Sequence, residues 1–270
     1  MPTIKVNQAE LYYEDVGSGP ETLLFVHGLC FSQEMFRDQI AAFSGKYRCV
    51  SYDLRGHGRS ELTTGGYDCD DLARDAAAVI DQLKLGPVHL VGWSSGGFAG
   101  MRLALERPEL LRSLILIGAA TFDGTDLPFV RLKLMPYIVP IVGSKALAKK
   151  ALTGMFSPKT LKTERGKAMF AEWRQRFGET SPHGIARLAK GATSQRSILD
   201  KLGGIKAPTI LIRGEEDELI RQSWMKQTAD AIPGARLVEI PNTRRACNME
   251  SPEQFNAIMG DFLQSVRATA

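Results

Sequence analysis

Apolar and polar residues alternate over two short stretches, Thr3 to Val6 and Glu10 to Asp15, and this period of two predicts an opening antiparallel pair of strands. The turn "GSGPE" follows. Next comes "TLLFVHG", a continuous apolar run of the kind a strand shows when both of its faces are covered. Gln33 to Phe43 has helical spacing, "YRCVSYDLRG" is a strand running into a charged, Gly-rich loop, and Asp70 to Leu83 is helical again. "VHLVGWSSGG" reads as a strand entering a sharp turn, Phe98 to Glu106 as the helix after it, and "LLRSLILIGAA" as the next buried strand.

The alternation then stops. From Thr121 to about Gly204 apolar and basic residues mix at helical spacing without a strand signal, and Pro128, Pro136, Pro140, Pro158 and Pro182 punctuate the stretch. It resumes with "APTILIRGEEDE" as a strand, Ile220 to Ile232 as a helix, "ARLVEI" as a strand and Pro252 to Ala268 as the last helix. Ser251 reads as the N-cap of that helix, with Pro252 at its first position and Gln254 completing a capping box. Strands alternating with helices imply an α/β fold, a mostly parallel twisted sheet with helices on both faces. The pattern divides the chain into a core, 1–120 and 205–270, and an inserted helical lid, 121–204, over one end of the sheet. Ligands of such folds bind at the carboxyl ends of the strands.

Composition changes this picture little. The chain has 270 residues, 44% hydrophobic and 24% charged, enough for a sizeable core. Its net charge of +4 is too mild and too dispersed to point to nucleic acid. Cys30, Cys49, Cys69 and Cys247 lie far apart without metal-ligand spacing and read as reduced thiols of a cytoplasmic protein. The start "MPTIKVNQAELYYEDVG" lacks the apolar segment of a signal peptide, and no run approaches the ~18 apolar residues of a membrane span.

The chemistry concentrates at "GWSSG", Gly92 to Gly96, which fits G-x-S-x-G with Ser94 at its centre. A strand turning sharply into a helix strains the central residue and exposes its hydroxyl, and the positions two away must be small, as Gly92 and Gly96 are. The bland reading is a Gly-rich turn with an idle serine. The strand-to-helix context favours a nucleophile, and Ser95 lacks the flanking glycine spacing.

With these motifs together, the chain resembles the α/β-hydrolase family over nearly its whole length. "FVHGLC", with His27 and Gly28, resembles the family's turn after the third strand, and "DLRGHGRS" its loop after the fourth. "GWSSGG" resembles the nucleophile elbow and "IRGEEDELI" the segment holding the acid. The resemblance implies Ser94 as nucleophile, the backbone N–H groups of Leu29 and Ser95 as the oxyanion hole, Asp217 as the acid, and no cofactor or metal. Asp123 and Asp126 are a distant second choice for the acid. Cys30 and Cys247 flank these motifs and read as small buried hydrophobes.

One position departs from the family. Its last motif resembles "IPNAGHxxNxExPExF", whereas this chain reads "IPNTRRACNMESPEQF", so Arg245 falls in the histidine slot and Arg244 in that of a glycine. The four histidines do not fill the gap: His27 and His57 belong to turn motifs, His89 reads as mid-strand, and His183 opens a lid helix. A guanidinium has five donors and no acceptor and stays protonated across the physiological range, so it cannot take a proton from a serine. A cation there is expected to pair with Asp217. The intact surroundings point to a single substitution, which one base change in a His codon produces.

A serine at the elbow argues against epoxide hydrolases and haloalkane dehalogenases of this fold, which place an aspartate there. The start of the chain looks most like small bacterial serine esterases, enol-lactonases and cofactor-free perhydrolases. A hydroxynitrile-lyase-like reaction is a weaker option, since it too needs the histidine. Two readings stand: a hydrolase of a small-molecule carboxylic ester or lactone, strongly impaired at its base, and a ligand-binding pseudoenzyme. The stretch "LPFVRLKLMPYIVPIVGSKALAKKALTGMF" is apolar and basic; ordinary lid packing with snorkelling lysines is favoured over rest on a membrane surface.

Overall fold

The computed structural model describes residues 2–122 and 127–269. Eight strands form one sheet in the order β1-β2-β4-β3-β5-β6-β7-β8. β1 (Thr3–Val6) and β2 (Ala9–Val16) form the antiparallel opening pair, and β2 also runs antiparallel to β4 (Arg48–Tyr52). All remaining pairings are parallel, through β3 (Thr22–Val26), β5 (Val88–Trp93), β6 (Leu111–Ile117), β7 (Thr209–Gly214) and β8 (Arg236–Ile240). The central strands β3 and β5 are buried at every position, which accounts for their unbroken apolar runs. The architecture is therefore the expected α/β one.

Helices follow the strands in turn: α1 (Arg37–Phe43), α2 (Cys69–Gln82) and α3 (Ser95–Glu106) before β6, then α8 (Gln222–Ala231), α9 (Cys247–Glu250) and α10 (Pro252–Thr269) around β7 and β8. Between β6 and β7 lie α4 (Leu127–Val142), α5 (Ser144–Thr153), α6 (Glu164–Glu179) and α7 (Pro182–Ser194), with no strand among the described residues. The candidate acids Asp123 and Asp126 lie outside the described residues.

Local rules fail at identifiable places. Gln33–Phe36 is a 3₁₀ turn, and α1 begins only at Arg37. α3 starts at Ser95 rather than at Phe98, because glycines that are poor helix formers are needed there for close approach to neighbouring backbone. Pro136 and Pro140 sit inside α4 and do not end it. A helix-interior proline forfeits one hydrogen bond and crowds the preceding turn, and packing of α4 along α7 outweighs that. The capping box at α10 does not form. The Ser251 N–H is already taken by the Cys247 carbonyl at 3.0 Å, and the Ser251 hydroxyl meets the Gln254 side chain only at 3.5 Å.

Candidate active site

β5 ends at Trp93 and α3 begins at Ser95, so the entire change of direction falls on Ser94. Its backbone lies at φ 52° and ψ −114°, a conformation that costs a non-glycine residue on the order of 1–3 kcal/mol. The bend is held from both sides. Ser94 N–H donates to the Ile117 carbonyl at 3.0 Å, and Phe98 N–H donates to the Ser94 carbonyl at 2.9 Å. Close approach explains the glycines. A Cβ on Gly96 would overlap the Val26 carbonyl, one on Gly92 would stand 2.6 Å from the Gly96 oxygen, and one on Gly28 would stand 2.8 Å from the Trp93 oxygen.

Arg245 and Asp217 come to this bend from the loops after β8 and β7. Nη2 of Arg245 donates to Ser94 Oγ at 2.5 Å, and Nη1 donates to Asp217 Oδ2 at 3.1 Å. The expected pairing with Asp217 is present, and the same guanidinium also holds the serine. Asp217 Oδ1 accepts the N–H groups of Leu219 at 2.9 Å and Ile220 at 3.2 Å, so both carboxylate oxygens are occupied. Ser94, Asp217 and Arg245 are all buried. Trp93 supports the loop: its indole N–H donates to the Arg245 carbonyl at 2.9 Å, and the guanidinium carbon lies 5.1 Å from its ring centroid. Nothing in the sequence singled out Trp93 for this; its place beside the elbow was the available signal.

Leu29 and Ser95 stand at the same spot, one on the turn after β3 and the other at the first position of α3. Their N–H groups have no backbone or side-chain partner among the described residues, which for Ser95 is common at the first position of a helix. The Ser95 hydroxyl is also buried without a partner there. Cys30 adopts φ 80° beside Leu29, and burial pushes its thiol up to about 12 against a smaller opposing effect of Arg245. Burial likewise raises the Cys247 thiol, so both stay protonated near neutral pH.

The histidines have other employment. The Leu54 N–H donates to His27 Nε2 at 2.8 Å, which leaves the proton on Nδ1, facing the Gly28 carbonyl at 2.9 Å. Burial, with the neighbouring His57 adding to it, lowers His27 to about 3, and burial lowers His57 to about 4. His89 is the second residue of β5, not mid-strand, and is bonded to Ser113 at 2.8 Å. His183 is exposed near the start of α7. None of the four lines the cavity next to Ser94.

That cavity has a volume of about 840 Å³. Leu29, Ser94, Ser95 and Arg245 form its floor, and Leu132, Met135, Leu147 and Met155 from the α4–α5 region contribute apolar wall. α4 divides its apolar residues: Leu134 and Ile138 line the mouth, while Tyr137 and Ile141 are 71% and 88% exposed. No helix among the described residues is long and apolar enough to cross a membrane. Glu250 ties the α5 end of this wall to the Arg245 loop. One oxygen accepts the Ser157 N–H at 2.6 Å and the other the Arg244 N–H at 2.7 Å, while Ala246 N–H donates to the Met155 carbonyl at 3.0 Å. The sequence showed Glu250 only as part of a motif.

Known proteins resemble the chain over nearly all of its length. The "AB hydrolase superfamily protein YisY" of Bacillus subtilis is 29% identical, with 94% of this chain and 96% of that protein covered. 3-Oxoadipate enol-lactonase 2 of Acinetobacter baylyi is 26% identical, with 94% and 93% covered. Among solved structures, the enol-lactonase from Burkholderia xenovorans superimposes with a TM-score of 0.90 at 28% identity, with 97% of this chain and 100% of that chain covered. The model of the alpha/beta hydrolase family matches residues 23–258, and with the strand order and the bend at Ser94 it shows that the chain belongs to that family.

Proposed function

We propose that the chain is built as a serine hydrolase for a small-molecule carboxylic ester or lactone and that its turnover is strongly impaired. Ser94 is the nucleophile, Leu29 and Ser95 N–H the oxyanion donors, Asp217 the acid, and Arg245 stands where the general base belongs. Residues 121–204 form the lid over a core of 1–120 and 205–270; the wall residues from α4 and α5 support this. Two enol-lactonases among the relatives favour the lactone branch of the reading.

The 2.5 Å bond from Arg245 to Ser94 Oγ carries the proposal. Acyl transfer requires Oγ to lose its proton as it attacks the carbonyl carbon, while the developing oxyanion is met by preorganised N–H donors. The unpartnered N–H groups of Leu29 and Ser95 support that part of the reading. The residue touching Oγ, however, can only donate. Loss of one triad member lowers turnover by on the order of 10⁴ to 10⁶, and ~10³ over water survives from the oxyanion site and binding.

The test is hydrolysis of short-chain aryl esters and lactones by the chain as it stands and by Arg245→His, each with and without Ser94→Ala. A gain on the order of 10⁴ that disappears with Ser94→Ala is the expected result. No gain overturns the reading. Full activity of the unaltered chain would mean a recruited base, which His183→Ala then probes.

A further inference from the structure

Every group on the cavity floor is a hydrogen-bond donor. Arg245 lines the cavity, whereas Asp217 does not. The Leu29 and Ser95 N–H groups have no partner among the described residues, and the Ser95 hydroxyl, also without one there, is buried beneath the surface. Ser94 adds a further donor. Its Oγ accepts from Arg245, and because Arg245 has no acceptor to offer, the hydroxyl proton is left to point elsewhere. With a neutral base beside Asp217 such a floor would carry one negative charge. With a guanidinium it carries none, and the positive member faces the cavity. The rim adds Lys150, Arg221 and Arg244 against Glu216 and Glu218.

We propose that this cavity binds an apolar carboxylate, with the head against Ser94, Ser95, Leu29 and Arg245 and the tail along the apolar wall of α4 and α5. A carboxylate has four lone-pair sites for this set of donors and meets the positive end of the Arg245–Asp217 pair. A neutral ester or alcohol of the same length satisfies fewer donors and gains nothing from the charge. The ligand is thus the acid that hydrolysis of an ester would release, held where a working hydrolase must let it go. The proposal rests on the reading of Leu29 and Ser95 as the paired donors of this site.

The test is calorimetric titration with octanoate, octanol and methyl octanoate. Octanoate is expected to bind roughly tenfold or more tighter than the two neutral compounds, and Arg245→Gln, with octanol as the neutral comparison, is expected to abolish most of that preference at neutral pH. Equal affinity for the three compounds, or a preference that survives Arg245→Gln, overturns it. Should that variant fail to fold, the unaltered chain crystallised with omega-bromo-octanoate decides: bromine against α4 and α5 supports the orientation, and bromine at Ser94 overturns it. Failure here is separable from failure of the hydrolase reading. The latter is judged by the turnover of Arg245→His, and the carboxylate preference by the unaltered chain.

Discussion

The indole of Trp93 holds Arg245 at both ends, its N–H bonded to the Arg245 carbonyl at 2.9 Å and its ring 5.1 Å from the guanidinium carbon. The residue preceding Ser94 therefore helps to hold residue 245 toward Ser94, together with the bond to Asp217. Trp93→Phe keeps a ring but deletes the donor and leaves a void in a fully buried site. A loss on the order of 2 kcal/mol in denaturant unfolding is expected. Placed in an Arg245→His background, the same change is expected to cost roughly 10²-fold in turnover, because a catalytic group displaced by about 1 Å loses that much.

Removing the lock is not the same as supplying a base. Arg245→Ala frees Ser94 Oγ but offers no proton acceptor, so ester turnover should stay within an order of magnitude of the unaltered chain. The variant also strands the buried Asp217 carboxylate, which then keeps only the Leu219 and Ile220 N–H groups. Breaking a buried pair in this way costs about 3–5 kcal/mol, read as a lower denaturant midpoint. Hydrolysis by Arg245→Ala as fast as by Arg245→His would sink the argument from proton acceptance.

Buried titratable groups make stability depend on pH with opposite signs. His57 is depressed by burial from 6.5 to about 4, so its contribution is fully present above 6.5 and is lost as pH falls toward 4. The stability advantage of the unaltered chain over His57→Gln should therefore shrink by about 2 kcal/mol between pH 6.5 and pH 5. Asp53 runs the other way. Burial raises it from 3.8 to about 6, despite N–H donors from Gln33 and Arg59, so its contribution is present below 3.8 and is lost as pH rises through 6. Relative to Asp53→Asn the advantage should shrink by about 3 kcal/mol over that window. Denaturant titrations at several pH values read both slopes, and parallel slopes for the unaltered chain and either variant would contradict the assignment.

What could be read in advance was whatever depends on neighbours in sequence. The period-two and continuous apolar runs gave away the strands because burial on one or two faces writes itself into successive residues. The Gly92, Ser94 and Gly96 spacing gave away the bend because the steric demand spans five residues. Prolines 136 and 140 misled as punctuation, since contact of α4 with α7 decides that helix. The contact of Arg245 with Ser94 joins residues 151 apart, and that with Asp217 residues 28 apart. Periodicity holds no information at those separations. Motif order placed the three in one region, but only the folded chain shows one guanidinium engaging both.

Glu250 offers the means to ask whether the α4–α5 wall and the Arg245 loop move as one. Each of its two oxygens accepts a backbone N–H, Ser157 at 2.6 Å on one side and Arg244 at 2.7 Å on the other, and the Thr160 and Ser157 side chains also bond to the carboxylate. Glu250→Gln retains shape but replaces one acceptor oxygen with a donor, so one of those N–H groups must face another N–H. A buried unpaired donor costs about 1–3 kcal/mol. The loss should be local: faster hydrogen exchange at Ser157 and Arg244, with the Met155–Ala246 bond between the same segments opening as well. In an Arg245→His background, turnover should fall together with this protection, because the loop that positions residue 245 has lost its tie to the wall. Unchanged exchange at both amides, with global stability reduced all the same, would show that Glu250 supports the core and not the coupling of wall to loop.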